Sequence, residues 1–325
     1  MTSERNGTYR EGDIMRIVFM GTPDFAQICL RALVEAELNV VAAVTQPDKP
    51  KGRGKEMQFP PVKEAALSHG IEVYQPKRIR EPECIRYLAK YQPDIIIVAA
   101  FGQILPKEIL DMPKYGCVNV HASLLPKYRG AAPIQWAVIN GDSVSGVTTM
   151  RMDVGLDTGD MIDKVEVALA EDETGGSLFD RLALEGAKLC VKTMEKIENK
   201  TAVYTKQNEE EATHTRMISK KMGKIDWNMG AVELERLIRG LNPWPSAYTS
   251  LNGKSLKVWK ASVIDGGNKE QAATVVKSDG KSLWVQTGCG ILSLEEVQLE
   301  GKKRMMTADF LRGYQIAEGE TLGTK

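Results

Sequence analysis

The chain is poor in the residues that mark metal, redox and secreted proteins. It holds three histidines, His69, His121 and His214, none clustered with cysteine, so no metal site is expected. Its five cysteines, Cys29, Cys84, Cys117, Cys190 and Cys289, are odd in number, scattered and without paired spacing. That pattern argues for reduced thiols and against a disulfide framework. No apolar run approaches a bilayer span, and the N-terminal residues lack the apolar core of a signal peptide, so a cytoplasmic location is expected. A dinucleotide fingerprint is also missing. Gly21 follows an apolar stretch, but Thr22-Pro23-Asp24 comes next, without the second and third glycines, and NAD is not expected.

What is present is an ordinary globular composition, 42% hydrophobic and 26% charged, over 325 residues, enough for two domains with separate cores. The formal net charge is zero but unevenly spread. Residues 216–325 carry 17 Lys and Arg against 12 Asp and Glu, while residues 1–215 carry 26 against 31. A basic C-terminal part suggests a polyanionic partner there.

Periodicity gives the organisation. Residues 16–20, an α-helix through Leu30 and Leu33, and residues 40–45 form a βαβ unit and imply a parallel sheet. Further helices are expected to open at Pro61, Pro82 and Pro133, and the nearly all-apolar 94–100 reads as a strand covered on both faces. Residues 146–152 and 161–167 read as an antiparallel pair around a glycine-rich loop. Ser177 with Asp180 reads as the capping box of a long helix. After one amphipathic helix carrying Leu234, Leu237, Ile238 and Leu241, short alternating strands with turn signals at Asn252-Gly253 and Asp279-Gly280 suggest a small β-barrel. The expected division is a disordered leader over 1–14, a catalytic domain over 15–200, a linker over 201–221 and a barrel domain over 222–325. The fold class is α/β, a Rossmann-like, mostly parallel sheet with helices on both faces, followed by a small OB-like β-barrel.

The stretch 118–136, VNVHASLLPKYRGAAPIQW, draws attention within this frame. Asn119 and His121 lie two apart on a strand and so share a face. Asp157 sits in the flexible glycine-containing loop 154–160. An amide donor, a proton carrier and an orienting carboxylate suit acyl transfer through an oxyanion. Each residue alone equally fits a structural histidine or a turn aspartate. No covalent nucleophile is evident, because Ser123 lacks the elbow pattern of a hydrolase serine. Trp244, Tyr248, Trp259 and Trp284 could stack on bases, although such residues commonly fill the core of a small barrel.

The runs VFMGTPDFA (18–26), AAFGQILP (99–106), VNVHASLLPKYRGAAPIQWAVINGD (118–142) and VGLDTGDM (154–161) resemble those of folate-dependent formyltransferases. TQPDKPKGRGKE (45–56) and NPWPSAY (242–248) resemble the branch that acts on methionyl-tRNA. The resemblance spans the chain from Met15 onward. It implies 10-formyltetrahydrofolate as co-substrate, methionyl initiator tRNA as acceptor, no metal, and a monomer. Asn119, His121 and Asp157 would be the catalytic residues. Ser123, Leu124, Leu125 and Pro126 would belong to the folate signature, with Phe101, Gly102, Gln103, Ile104 and Leu105 lining the pterin pocket. Lys49, Lys51, Arg53 and Lys55 in the basic loop 46–61 would meet the tRNA acceptor end, and Lys220, Lys221, Lys224, Lys254 and Lys257, with 302–304, its stem. Two other readings remain: a formyltransferase for an amino sugar or nucleotide, which leaves the basic loop unexplained, and a non-catalytic RNA-binding protein, which leaves the intact trio unexplained.

Overall fold

The computed structural model describes residues 14–51, 56–267 and 270–323, so the expected leader lies outside the described residues apart from Ile14. Two compact units form. The first takes the chain up to Pro126, Val147–Val165 and Leu182–Glu210, and the second takes Lys127–Gly146, Glu166–Arg181 and the chain from Glu211 onward.

The first unit is built on seven strands among the described residues: β1 (Ile17–Gly21), β2 (Val40–Val44), β3 (Glu72–Tyr74), β4 (Ile95–Ala99), β5 (Cys117–His121), β6 (Val144–Arg151) and β7 (Met161–Ala168). Their order is β7-β6-β5-β4-β1-β2-β3. β1 pairs in parallel with β2 and β4, β2 with β3, and β4 with β5, whereas β6 joins β5 antiparallel. Helices α1 (Asp24–Glu35), α2 (Pro61–Ser68) and α3 (Pro82–Ala89) begin at or just after proline, whose fixed φ suits a first turn. Val18, Met20, Ile96, Val98 and Cys117 pack with Cys84 and Leu88 of α3. Ile17, Phe19, Ile95 and Ile97, one residue out of phase and so on the opposite face, are equally buried. Both faces are therefore covered, which is why these strands read as continuous apolar runs.

In the second unit α4 (Pro133–Asn140) packs on a later helix, and α5 (Gly175–Glu198) begins. The later helix is α6 (Ala231–Gly240). Beyond it β8 (Ala247–Leu251), β9 (Lys254–Ile264), β10 (Val275–Ser278), β11 (Leu283–Gln286) and β12 (Ile291–Leu299) form an antiparallel sheet in the order β8-β9-β12-β11-β10. Its inward residues Leu256, Val258, Val285, Leu292 and Leu294 share a core with Leu234, Leu237 and Ile238 of α6. The edge strands β8 and β10 are not paired with each other among the described residues, which leaves the barrel partly open, as OB-type sheets commonly are. Asn252 and Gly253 both take left-handed φ, 48° and 73°, the two-residue turn that matches strand twist.

Two expectations change. The cap of α5 is Thr174, not Ser177: Ser177 N donates to Thr174 Oγ1 at 3.0 Å and Thr174 N to Ser177 Oγ at 2.9 Å. Trp259 is a half-buried surface residue, its N–H on Gln298 Oε1, with Lys257 and Arg304 over its ring at 5.3 and 4.7 Å. Its strand position points outward, away from Val258 and the core.

On β7, burial works to raise the Asp163 carboxyl, but hydrogen bonds from Lys196 (2.6 Å) and Lys192 (3.2 Å) outweigh it and hold the pKa below the ordinary value. A depressed folded-state pKa adds stability above the ordinary carboxylate pKa, and that stability is lost as pH falls through the folded value. Both lysines are partly exposed, so Asp163→Asn is expected to cost no more than about 1 kcal/mol near neutral pH. The cost should fade below about pH 4. Urea unfolding of both proteins at pH 7 and pH 3 checks it.

Candidate active site

β5 ends in the site. Asn119 pairs in register with Val98 and Met150, and His121, two residues on, with Thr148. Both side chains thus leave the same face, and His121 is only 7% exposed. Their carboxylate arrives by a route the sequence does not announce. Because β6 is antiparallel to β5, Arg151 lies beside Val118 and Met152 N bonds to Cys117 O, at the opposite end of β5 from His121. The β6–β7 connection leaves the sheet there and doubles back along β5. Asp157 then reaches Asn119 Nδ2 with Oδ1 at 3.3 Å and His121 Nδ1 with Oδ2 at 3.7 Å. The first is a hydrogen bond, and the second is a charge contact longer than one.

The connection is folded tightly. Asp153 Oδ1 accepts from Gly155 N (2.9 Å) and Thr158 Oγ1 (2.6 Å), Arg151 N donates to Asp160 O (2.8 Å), and Gln207 Nε2 donates to the Asp157 and Gly159 carbonyls. Asp157 itself has a left-handed φ of 54°. Gln207, which holds the backbone of the Asp157 loop, is a residue that sequence reading did not single out. It stands in the charged run KQNEEE, and its partners lie about fifty positions earlier.

After His121 the chain turns through buried Ser123, half-buried Leu124, and buried Leu125 and Pro126. Thr148 of β6 fixes this turn, its hydroxyl donating to Ser123 O (2.7 Å) and accepting from Leu125 N (3.1 Å). At the end of β4 the side chains of 101–105 part company. Phe101 and Leu105 join the apolar core, Gln103 Oε1 accepts from Ile79 N at 2.8 Å, Gly102 is exposed, and Ile104 is 84% exposed. Val154 and Leu156 of the Asp157 loop are also exposed, at 77% and 59%. Large apolar side chains thus stand in water on the two segments expected to line a pterin pocket.

Between β1 and β4 the strand order reverses, the usual ligand crevice of such sheets. Thr22 Oγ1 and Gln46 Nε2 both donate to Phe101 O there, and a cavity of about 340 Å3 is lined by Thr22, Gln46, Lys49 and Phe59. Of the basic loop, Lys49–Lys51 and Glu56–Gln58 form a short antiparallel hairpin, while Arg53 and Lys55 lie outside the described residues. In the second unit Lys220, Lys221, Lys224 and Lys254 are exposed and Lys257 half-buried. A groove of about 590 Å3 in that unit, lined by Lys127, Tyr128, Trp136 and Arg216 among others, was not foreseen. Among the described residues, one trio of possible metal ligands, Glu81, Glu83 and Cys84, comes together, distant in sequence from the residues above.

Gly159 tests how closely the loop is fitted. A Cβ there would overlap the carbonyl oxygen of Arg151, whereas one on Gly313 meets nothing within 4 Å. Gly159→Ala is expected to lower stability by about 2 kcal/mol or more and Gly313→Ala to stay within about 0.5 kcal/mol of the parent. Chemical denaturation of the two variants decides it.

Comparison with known proteins follows the same lines. The formyl transferase family matches residues 15–194, and the formyl transferase C-terminal domain residues 217–315. A methionyl-tRNA formyltransferase of Agathobacter rectalis is 68% identical over 305 residues, covering 94% of this chain and 98% of its own length. Among solved structures, a sugar 3N-formyl transferase crystallised in the presence of dTDP and 5-N-formyl-THF superposes with TM-score 0.65 at 19% identity, over 90% of this chain and 100% of that one. The methionyl-tRNA formyltransferase from Clostridium thermocellum gives 0.53 at 19% identity, over 78% and 95%. At such identities the two structures speak for the fold alone, and the near-full-length sequence match carries the relationship. The chain belongs to the formyltransferase family, on its methionyl-tRNA branch.

Proposed function

We propose that this protein transfers the formyl group of 10-formyltetrahydrofolate to the α-amino group of methionyl initiator tRNA, acting as a cytoplasmic monomer. The observation that carries the reading is 68% identity to a methionyl-tRNA formyltransferase along nearly the whole of both chains. The folate supplies an activated formyl carbon, and this chain's residues supply position and charge. An aminoacyl amine has a pKa near 8, so a useful fraction is already neutral and nucleophilic at physiological pH. No residue is then needed to become a covalent nucleophile.

The roles follow from the contacts. One N–H of the Asn119 amide is engaged by Asp157, which leaves the other for the oxygen on which negative charge develops. The carboxylate 3.7 Å from His121 Nδ1 orients the imidazole toward the reactants. His121 with Asp157 then carries the proton lost by the amine toward the departing nitrogen. Ser123 to Pro126 and the backbone of 101–105 hold the folate, and Ile104, Val154 and Leu156 supply apolar contact. Lys49, Lys51, Arg53 and Lys55 draw in the acceptor end, while Lys220, Lys221, Lys224, Lys254 and Lys257 hold the stem.

A transfer assay with 10-formyltetrahydrofolate and methionyl-tRNA, free methionine or an amino sugar nucleotide tests the reading. Only methionyl-tRNA is expected to be formylated efficiently; preference for the sugar nucleotide would overturn the assignment. His121→Ala and Asp157→Asn are each expected to slow single-turnover transfer about 10²–10³-fold. Rates within a few fold of the parent would remove those residues from the chemistry. Arg53→Ala is expected to lower kcat/KM for tRNA, whereas neutralising Lys220, Lys221, Lys224 and Lys254 together should mainly flatten the dependence of binding on salt, by about one unit of log–log slope for each phosphate that is no longer neutralised. Unchanged kinetics and an unchanged slope would defeat the tRNA contacts.

A further inference from the structure

The stretch 203–211 is exposed at every residue except Gln207, which turns inward. Its Nε2 donates to the carbonyl oxygens of Asp157 at 2.7 Å and Gly159 at 2.8 Å, which places both amide hydrogens on the loop that carries the carboxylate. Two residues earlier, Thr205 and Met161 exchange backbone hydrogen bonds, each 2.8 Å, so the glutamine is delivered in fixed register beside the start of β7. The loop needs such a hold. It runs back along β5 from the far end of the sheet, and Asp157 occupies a left-handed conformation, φ 54°, that a non-glycine residue keeps only when its surroundings enforce it. Asp153 ties the first half of the loop through Gly155 and Thr158. The Asp157 and Gly159 carbonyls are left to Gln207.

We propose that Gln207 is a positioning residue for the transfer reaction: it fixes the backbone of 157–159 and thereby presents the Asp157 carboxylate to Asn119 and His121. The inference rests on the proposed role of Asp157. An amide is the side chain that fits, because one nitrogen must donate twice to two neighbouring carbonyl oxygens. Glutamate would set a carboxylate against both oxygens, leucine would donate nothing, and asparagine is one methylene short. Acting through the backbone of the Asp157 loop, Gln207 should on its loss change the rate and not substrate affinity.

The test is a double-mutant cycle in the full-length enzyme, with Gln207→Leu and Asp157→Ala made singly and together, and single-turnover transfer and both KM values measured. Gln207→Leu is expected to slow transfer about tenfold to a hundredfold, the scale of an ångström-level displacement of a reacting group. KM should stay within about twofold, and in the Asp157→Ala background the same change should slow transfer less than about twofold further. Should Gln207→Leu fold poorly, Gln207→Asn serves, with a smaller loss of the same kind. Full-strength effects in both backgrounds, or a rise in KM with the rate constant unchanged, would overturn the proposal. A Gln207→Leu enzyme as fast as the parent, beside an impaired Asp157→Ala enzyme, would overturn it while sparing the role of Asp157. An Asp157→Ala enzyme as fast as the parent would remove the role of Asp157 and this inference with it.

Discussion

The arrangement depends on one geometric constraint: to meet Asn119 and His121, the Asp157 carboxylate must be carried back along β5 from the wrong end of an antiparallel neighbour. A parallel sheet collects its loops at one edge, and β5 delivers His121 to that edge without help. β6 runs the other way, so its loop begins beside Cys117 and Val118. The features of 153–160 answer this constraint. Gly159 allows the chain to pass the Arg151 carbonyl, Gly155 leaves room for the Thr158 hydroxyl, and Asp153 draws the two together. A left-handed Asp157 costs about 1–2 kcal/mol. Two amide hydrogen bonds at about 1 kcal/mol each are enough to offset it.

The parallel core acts on the same site from the other side. Gly21 must be glycine, because a Cβ would meet Ala26 Cβ at 2.5 Å and Ala99 O at 2.7 Å, where β1 and β4 converge and α1 begins. That close approach brings Thr22 and Gln46 onto the Phe101 carbonyl and joins three strand ends into one rigid rim. The paired segments Lys49–Lys51 and Glu56–Gln58 follow β2 and Gln46 of that rim in the chain. The proposed chemistry and the proposed recognition would therefore share a support even though their residues are far apart in sequence.

The parts of this plan that repeat with a period were legible. Strands β1, β2, β4 and β5 showed as apolar runs, α2, α3 and α4 opened at their prolines, and Asn252-Gly253 marked its turn. Features set by contacts between distant residues were not. The start of α5 was misplaced because Gly175 and Gly176 are poor helix formers. They are helical because the chain packs against them: a Cβ on Gly175 would overlap the Gly240 carbonyl oxygen, and one on Gly176 would come 2.8 Å from Pro243. Ser177 and Asp180 satisfy the capping pattern in sequence, but the helix extends back to Gly175 and Thr174 caps it. The polar run 201–221 read as a connector, since side chains facing water hide a backbone tied at Thr205 and a single inward glutamine. Asn119 and His121 were visible by alternation; what holds Asp157 against them was not.

Charge in the second unit is less uniform than its composition suggests. Arg304 pairs with Glu296 and covers Trp259, and Lys277 lies 4.3 Å over Trp284 and 3.1 Å from Asp279, whose carboxyl is pulled down to about 2 mainly by the backbone N–H groups of Ser282 and Lys281. These cations are locally engaged and add little field at a distance. Lys220, Lys221, Lys224 and Lys254 are exposed, with no acidic partner within 4 Å among the described residues. In the proposed complex they would set the long-range attraction of a polyanion, which salt screens. Trp259 with its two cations would act only at contact, where salt matters less. In that complex the same excess of basic residues would divide into a part that steers and a part that grips.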